Sequence, residues 1–137
     1  MAEHLPILQG TRILVLEDDD DTRNLLNFVL ESHGANVVLT SNVPQALQAI
    51  QNQRPIDVVV ADIGMPDFNG FAFVSSVRND DRPEIQKTPV IALTAYNAPG
   101  DRDRAIASGF NEYLNKPFHP GELTSMIKRL HDAHRMQ

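Results

Sequence analysis

Four polar residues fall where short apolar runs end, and a fifth follows a short strand-like segment. Glu17 and Asp18 follow Ile13-Leu14-Val15-Leu16, and Asp62 follows Val58-Val59-Val60-Ala61. Thr94 follows the apolar run 89–93, and Lys116 lies one residue past a short strand-like segment, Asn111-Glu112-Tyr113-Leu114. Such unbroken runs suit strands covered on both faces. If the strands are parallel, their ends share one edge and the five side chains converge. Three carboxylates brought together repel one another, and some are pushed toward the neutral acid. A hard divalent cation removes that repulsion. Mg²⁺ takes oxygen ligands, keeps several waters, and is satisfied by two carboxylates and one carbonyl; Mn²⁺ is the alternative.

The segments between the runs read as helices. After the acidic run 17–21, a helix opens near Asp or Thr, with Leu25, Leu26, Val29 and Leu30 expected on its buried face and Gly34 just past its end. A second strand spans 36–39. Ser41 or Asn42 caps the next helix, Pro44 sits in its first turn, and Val43, Leu47 and Ile50 form its stripe. A third strand covers 56–61. Phe73, Val74 and Val77 mark a third helix after Gly70. A fourth strand runs 89–93, a fourth helix runs from Pro99 to near Gly109, and a fifth strand covers 111–114. Leu123, Met126, Ile127 and Leu130 give the last helix its stripe. Five strands alternating with five helices predict an α/β doubly wound (βα)5 sandwich. The expected parallel order is 2-1-3-4-5, with helices on both faces. In that order ligands bind beyond the strand ends, where strands one and three part.

Composition sets the limits. The 137 residues carry 18 acidic and 12 basic side chains, for a net charge of −6, and 42% are hydrophobic. This predicts one domain over 1–137, with its core at about 11–131 and an N-terminal extension over 1–10. The chain has no cysteine, which excludes disulfides, thiolate metal sites and a Cys nucleophile. The acidic balance argues against nucleic-acid binding by this domain. The apolar runs are too short to cross a bilayer, and the first ten residues lack a signal-peptide pattern. The expectation is a cytoplasmic protein without membrane contact.

The motifs taken together resemble the response-regulator receiver domains of two-component signalling. They are Ile-Leu-Val-Leu-Glu17-Asp18-Asp19, Asp57-Val-Val-Val-Ala-Asp62-Ile-Gly-Met-Pro66, Ile-Ala-Leu-Thr94-Ala95 and Tyr113-Leu-Asn-Lys116-Pro117-Phe118. The resemblance runs from about Thr11 to about Leu130. It implies that Asp62 is the phosphoacceptor, taking a phosphoryl group from phosphohistidine on a sensor histidine kinase or histidine phosphotransfer protein. It implies that Glu17, Asp18, Asp62 and the Gly64 carbonyl hold Mg²⁺. Glu17 stands where the family more often has Asp, which favours water-mediated contact there. Catalysis then rests on Asp62, Thr94 and Lys116, because phosphoryl transfer needs positioning and neutralisation of oxygen charge. The family's lysine precedes a cis proline, a role open to Pro117. The family's switch maps onto Thr94, Ala95 and Tyr113, with the fourth helix, fifth strand and fifth helix as the face read by a downstream protein. Gly64 and Tyr96 occupy the positions that tune phosphate lifetime, Tyr96 as a shield and Gly64 as an open side. The resemblance implies no turnover beyond the chain's own phosphorylation and dephosphorylation. It leaves a monomer or a weak homodimer.

Simpler readings stand beside these. Asp19, Asp20 and Asp21 read as a solvated helix start favoured by the macrodipole. His131 and His134 read as a solvated helix tail, and no histidine has the setting of a phosphodonor. Three rival functions remain in view. A pseudo-receiver would bind partners without phosphorylation. A haloacid-dehalogenase-like phosphatase would want a second Asp where Gly64 stands. A flavodoxin-like protein would want a phosphate cradle where the acidic run stands.

Overall fold

The computed structural model describes residues 6–63, 70–95 and 98–135. Its elements in order are β1 (Arg12–Leu16), α1 (Asp20–Ser32), β2 (Asn36–Thr40), α2 (Val43–Asn52), β3 (Val58–Asp62), α3 (Gly70–Arg78), α4 (Pro83–Gln86), β4 (Val90–Thr94), α5 (Asp101–Ser108), β5 (Glu112–Asn115) and α6 (Pro120–Arg135). The five strands form one sheet of order β2-β1-β3-β4-β5, and every pairing is parallel. The expected doubly wound sandwich is therefore the observed one. The one-turn α4 is additional to the five expected helices. Pro83 stands at its start, where a missing N–H costs nothing.

Side-chain alternation along the strands divides the core in two. Leu14, Leu16, Val59, Ala61, Val90 and Ala92 face α2, α3 and α5. Ile13, Val15, Val58, Val60, Ile91 and Leu93 face α1 and α6. Each fully buried Val, Leu or Ile contributes about 1.5–3 kcal/mol, so both faces are firmly specified. The second cluster also contains Leu8, which is fully buried. Its N–H donates to His33 O at 2.8 Å, so the N-terminal extension completes this core. Gly34, with φ +94°, makes room for it. A Cβ there would lie 2.7 Å from Pro6 Cβ and 3.1 Å from the Gln9 backbone.

The helix starts follow their sequence signals. Asp19 caps α1 by accepting from Thr22 N at 2.9 Å. Asn42 caps α2 by accepting from Gln45 N at 2.9 Å. Two expectations fail. Leu25 lies outside the core at 50% exposure, while Leu26, Val29 and Leu30 are buried. Adjacent Leu25 and Leu26 stand 100° apart on the helix, so the buried stripe keeps one of them. His131 is not a solvated tail residue. Its Nδ1 lies 3.2 Å from Thr11 Oγ1, and its Nε2 lies 3.4 Å from Asp57 Oδ1. Asp57 Oδ2 in turn accepts from Arg12 N at 2.7 Å, so α6 is tied to the N-terminal ends of β1 and β3. Among the described residues no helix is long and apolar enough to cross a membrane.

Candidate metal and phosphoryl centre

Parallel strands bring their C-terminal ends to one edge, and the sequence places acids and a lysine there. β1 and β3 are neighbours, with Leu16 opposite Ala61, so the residues that follow them, Glu17 and Asp62, lie side by side. β5 enters through β4, where Thr94 pairs with Asn115. Lys116 N donates to Thr94 O at 2.7 Å. The Lys116–Pro117 peptide is cis.

The ammonium closes the arrangement. Lys116 Nζ donates to Glu17 Oε1 at 2.6 Å and to Asp62 Oδ2 at 2.9 Å, joining residues 99 and 54 positions apart. Glu17 is 1% exposed and Asp62 6%. Asp18 is exposed, yet one carboxylate oxygen from each of Glu17, Asp18 and Asp62 lies within 4.8 Å of the others. Burial raises the Glu17 carboxyl to about 7, with the neighbouring Asp62 adding to the rise and Lys116 opposing it. Burial pulls the Lys116 ammonium down, but Glu17 and Asp62 outweigh it and leave its pKa above the ordinary lysine value. The centre thus holds more negative charge than one ammonium neutralises. That excess, on hard oxygen donors, fits a divalent cation.

The Glu17 shift sets the sign of a pH effect. A carboxyl raised from 4.5 to about 7 on folding contributes stability that is full below 4.5 and lost as pH rises through about 7. The metal-free protein should therefore lose more stability between pH 5 and pH 7.5 than Glu17→Gln does, by about 1–3 kcal/mol. Urea midpoints across that range measure the difference. Parallel curves for the two proteins would remove Glu17 as the source.

Thr94, fully buried at the end of β4, and Tyr113, at 7% exposure on β5, both line a cavity of about 240 Å³. Ile63, Phe71, Asp101 and Arg104 complete its wall. The Arg104 guanidinium lies 4.5 Å from the Phe71 ring centroid, a contact no sequence pattern announces. Ala95 follows Thr94 and is exposed. The structure therefore brings together Glu17, Asp18, Asp62 and Lys116 at one point and Thr94 and Tyr113 at an adjoining one. Gly64 and Tyr96 lie outside the described residues.

The family model for the response regulator receiver domain matches residues 13–128. The chain belongs to this family. A 14.6 kDa protein of Leptolyngbya boryana is 43% identical over 117 residues, covering 85% of this receiver and 87% of the relative. Response regulator Rre1 of Synechocystis is 34% identical over 119 residues, covering 86% of this chain. The receiver spans about half the length of Rre1, 50%. Among solved structures, the receiver domain of sensor histidine kinase PA1611 from Pseudomonas aeruginosa superposes with a TM-score of 0.80 at 31% identity. The match covers 90% of this chain and 98% of that one. That structure has a magnesium ion coordinated in its active-site cleft.

Proposed function

We propose that this receiver accepts a phosphoryl group on Asp62 from phosphohistidine of a sensor histidine kinase or a histidine phosphotransfer protein. The carrying observation is the meeting of Glu17, Asp18, Asp62 and Lys116 beyond the ends of β1, β3 and β5. An Asp62 carboxylate oxygen attacks phosphorus, the P–N bond breaks, and the imidazole leaves with its electron pair. Glu17, Asp18 and Asp62, with the carbonyl of Gly64, are the ligand set for Mg²⁺ or Mn²⁺. The PA1611 receiver, with its magnesium ion, supports that assignment. When bound, the cation neutralises charge on the transferring oxygens.

Lys116 supplies a second positive charge. It must leave Glu17 to reach a phosphoryl oxygen while staying beside Asp62. Thr94 donates a hydroxyl hydrogen bond, and its movement toward the phosphoryl group frees space beside Tyr113. The two packings differ in how they fill the cavity between β4, β5 and α5, and the new dianion biases them. The face built by α5, β5 and α6 carries the signal to a downstream protein. Gly64 and Tyr96 set the phosphate lifetime, and Ala95 leaves room for the switch. The chain acts on itself only, as a single unit over 1–137, in the cytoplasm, as a monomer or weak homodimer.

Intact mass after incubation with acetyl phosphate and Mg²⁺ tests the reading. The expected gain is one phosphoryl group, absent in Asp62→Asn and absent when Mg²⁺ is chelated. A folded chain that gains no mass and binds no beryllium fluoride would instead be a pseudo-receiver.

A further inference from the structure

A single basic residue follows the acidic run 17–21, and it turns back onto that run. Arg23 lies in the first turn of α1, with its side chain 19% exposed. Its Nη1 donates to Glu17 O at 3.0 Å and, more weakly, to Asp18 O at 3.4 Å. Its Nη2 pairs with the Asp20 carboxylate. Its backbone N–H donates to Asp19 O at 2.9 Å. One planar head thus touches the backbone of both acids whose carboxylates face Asp62.

We propose that Arg23 is a positioning residue of the cation site. It acts through the Glu17 and Asp18 carbonyls, not through its charge. The inference rests on the reading of Glu17, Asp18 and Asp62 as the ligand set. Holding those two carbonyls fixes the backbone torsions from which the carboxylates project. It also occupies oxygens that would otherwise be free to turn toward a cation and compete with the carboxylates. The fork matters because guanidinium donors diverge at fixed angles, so one head serves both carbonyls and Asp20. An ammonium on a flexible stem cannot reproduce that set.

Charge and geometry predict opposite signs, which makes the proposal testable. A guanidinium beside the site repels a divalent cation, so removing the charge alone should tighten binding. Removing a group that orients metal ligands should weaken it, on the order of tenfold. Mg²⁺ titrations of the full chain, followed by the amide NMR shifts of residues 17–19 at fixed pH and ionic strength, give the dissociation constants. Arg23→Gln and Arg23→Lys are expected to bind Mg²⁺ roughly five- to tenfold more weakly than the parent, with Lys failing to rescue although it keeps the charge. Both keep a long unbranched stem suited to a helix, and their amide spectra report folding directly.

Tighter binding by Arg23→Gln with unchanged binding by Arg23→Lys would overturn the proposal in favour of simple repulsion. A lowered urea midpoint with unchanged Mg²⁺ affinity would reduce Arg23 to a structural brace and also overturn it. If the parent itself binds no Mg²⁺, the ligand-set reading falls and takes this inference with it. A parent that binds beside variants that bind equally well removes the inference alone.

Discussion

Lys116→Ala is expected to lose about 3 kcal/mol of stability at pH 8 without divalent cation. The Lys116 side chain is 19% exposed, and it is paired with the buried carboxylates of Glu17 and Asp62. Removing one member of a buried pair leaves the other charged and desolvated, which costs more than the pair itself contributed. Here two carboxylates are left facing each other. The loss should shrink at pH 5, below the Glu17 value of about 7, because a protonated Glu17 no longer needs the ammonium. Mg²⁺ should restore part of it at pH 8. Phosphorylation by acetyl phosphate at saturating Mg²⁺ should slow on the order of 100- to 1000-fold, the effect of removing one group aimed at developing oxygen charge. Urea denaturation at the two pH values and a mass-based phosphorylation rate measure both effects. An unchanged midpoint at pH 8 would mean that the acids do not depend on Lys116 for neutralisation.

The second large effect lies at the opposite edge of the sheet. Arg78 ends α3 and donates from Nε to Gly109 O at 3.0 Å and from Nη1 to Gln86 O and Thr88 O at 2.7 Å each. Its Nη2 donates to Asn111 Oδ1 at 2.7 Å. Gln86 and Gly109 close α4 and α5, so one cation sits at two helix C-termini, where the macrodipole favours it. These four acceptors are neutral oxygens, and burial lowers the guanidinium pKa. Arg78→Ala should therefore cost about 3 kcal/mol, because hydrogen bonds to a charged group contribute more than neutral ones and buried carbonyls are left unpaired. Arg78→Lys should recover less than half of that loss, since an ammonium cannot span the same acceptors. Thermal unfolding gives the magnitude. The phosphorylation rate of the folded fraction should stay at the parent value, because no contact in this network reaches Asp62. Recovery by lysine would show that charge, not the fork, does the work.

The sequence carried the sheet and the centre because both depend on local patterns that repeat along the chain. Apolar runs of four or five residues end in polar groups, and a parallel arrangement puts those groups on one edge. Glu17, Asp18 and Asp62 are legible from those runs, and Lys116 from its place after the short segment that ends at Leu114. What escaped depends on distance in the chain or on backbone oxygens. Arg78 binds three carbonyls, and a carbonyl leaves no mark in a residue string. His131 meets Thr11 across 120 positions, and no periodicity on α6 encodes that meeting. Leu25 differs from expectation because adjacent leucines both match a broad helical stripe, while only Leu26 reaches the core. Leu8 escapes because the short apolar stretch Leu5-Pro6-Ile7-Leu8 carries neither a helical nor a strand period. Its burial became legible only with the turn at Gly34.

The centre draws its members from both ends of the chain, and this governs when it can exist. Glu17 leaves a ribosome long before Lys116, its bonding partner 99 residues later. Until β5 docks beside β4, β1 and β3 hold their acids together without the ammonium that neutralises them. Those acids therefore work against assembly of the first three strands, and the apolar faces must carry it alone. A chain stalled before β5 would still display the carboxylates but not the finished centre. Under the proposed function, competence to receive a phosphoryl group is consequently a property of the completed sheet and not of its first three strands.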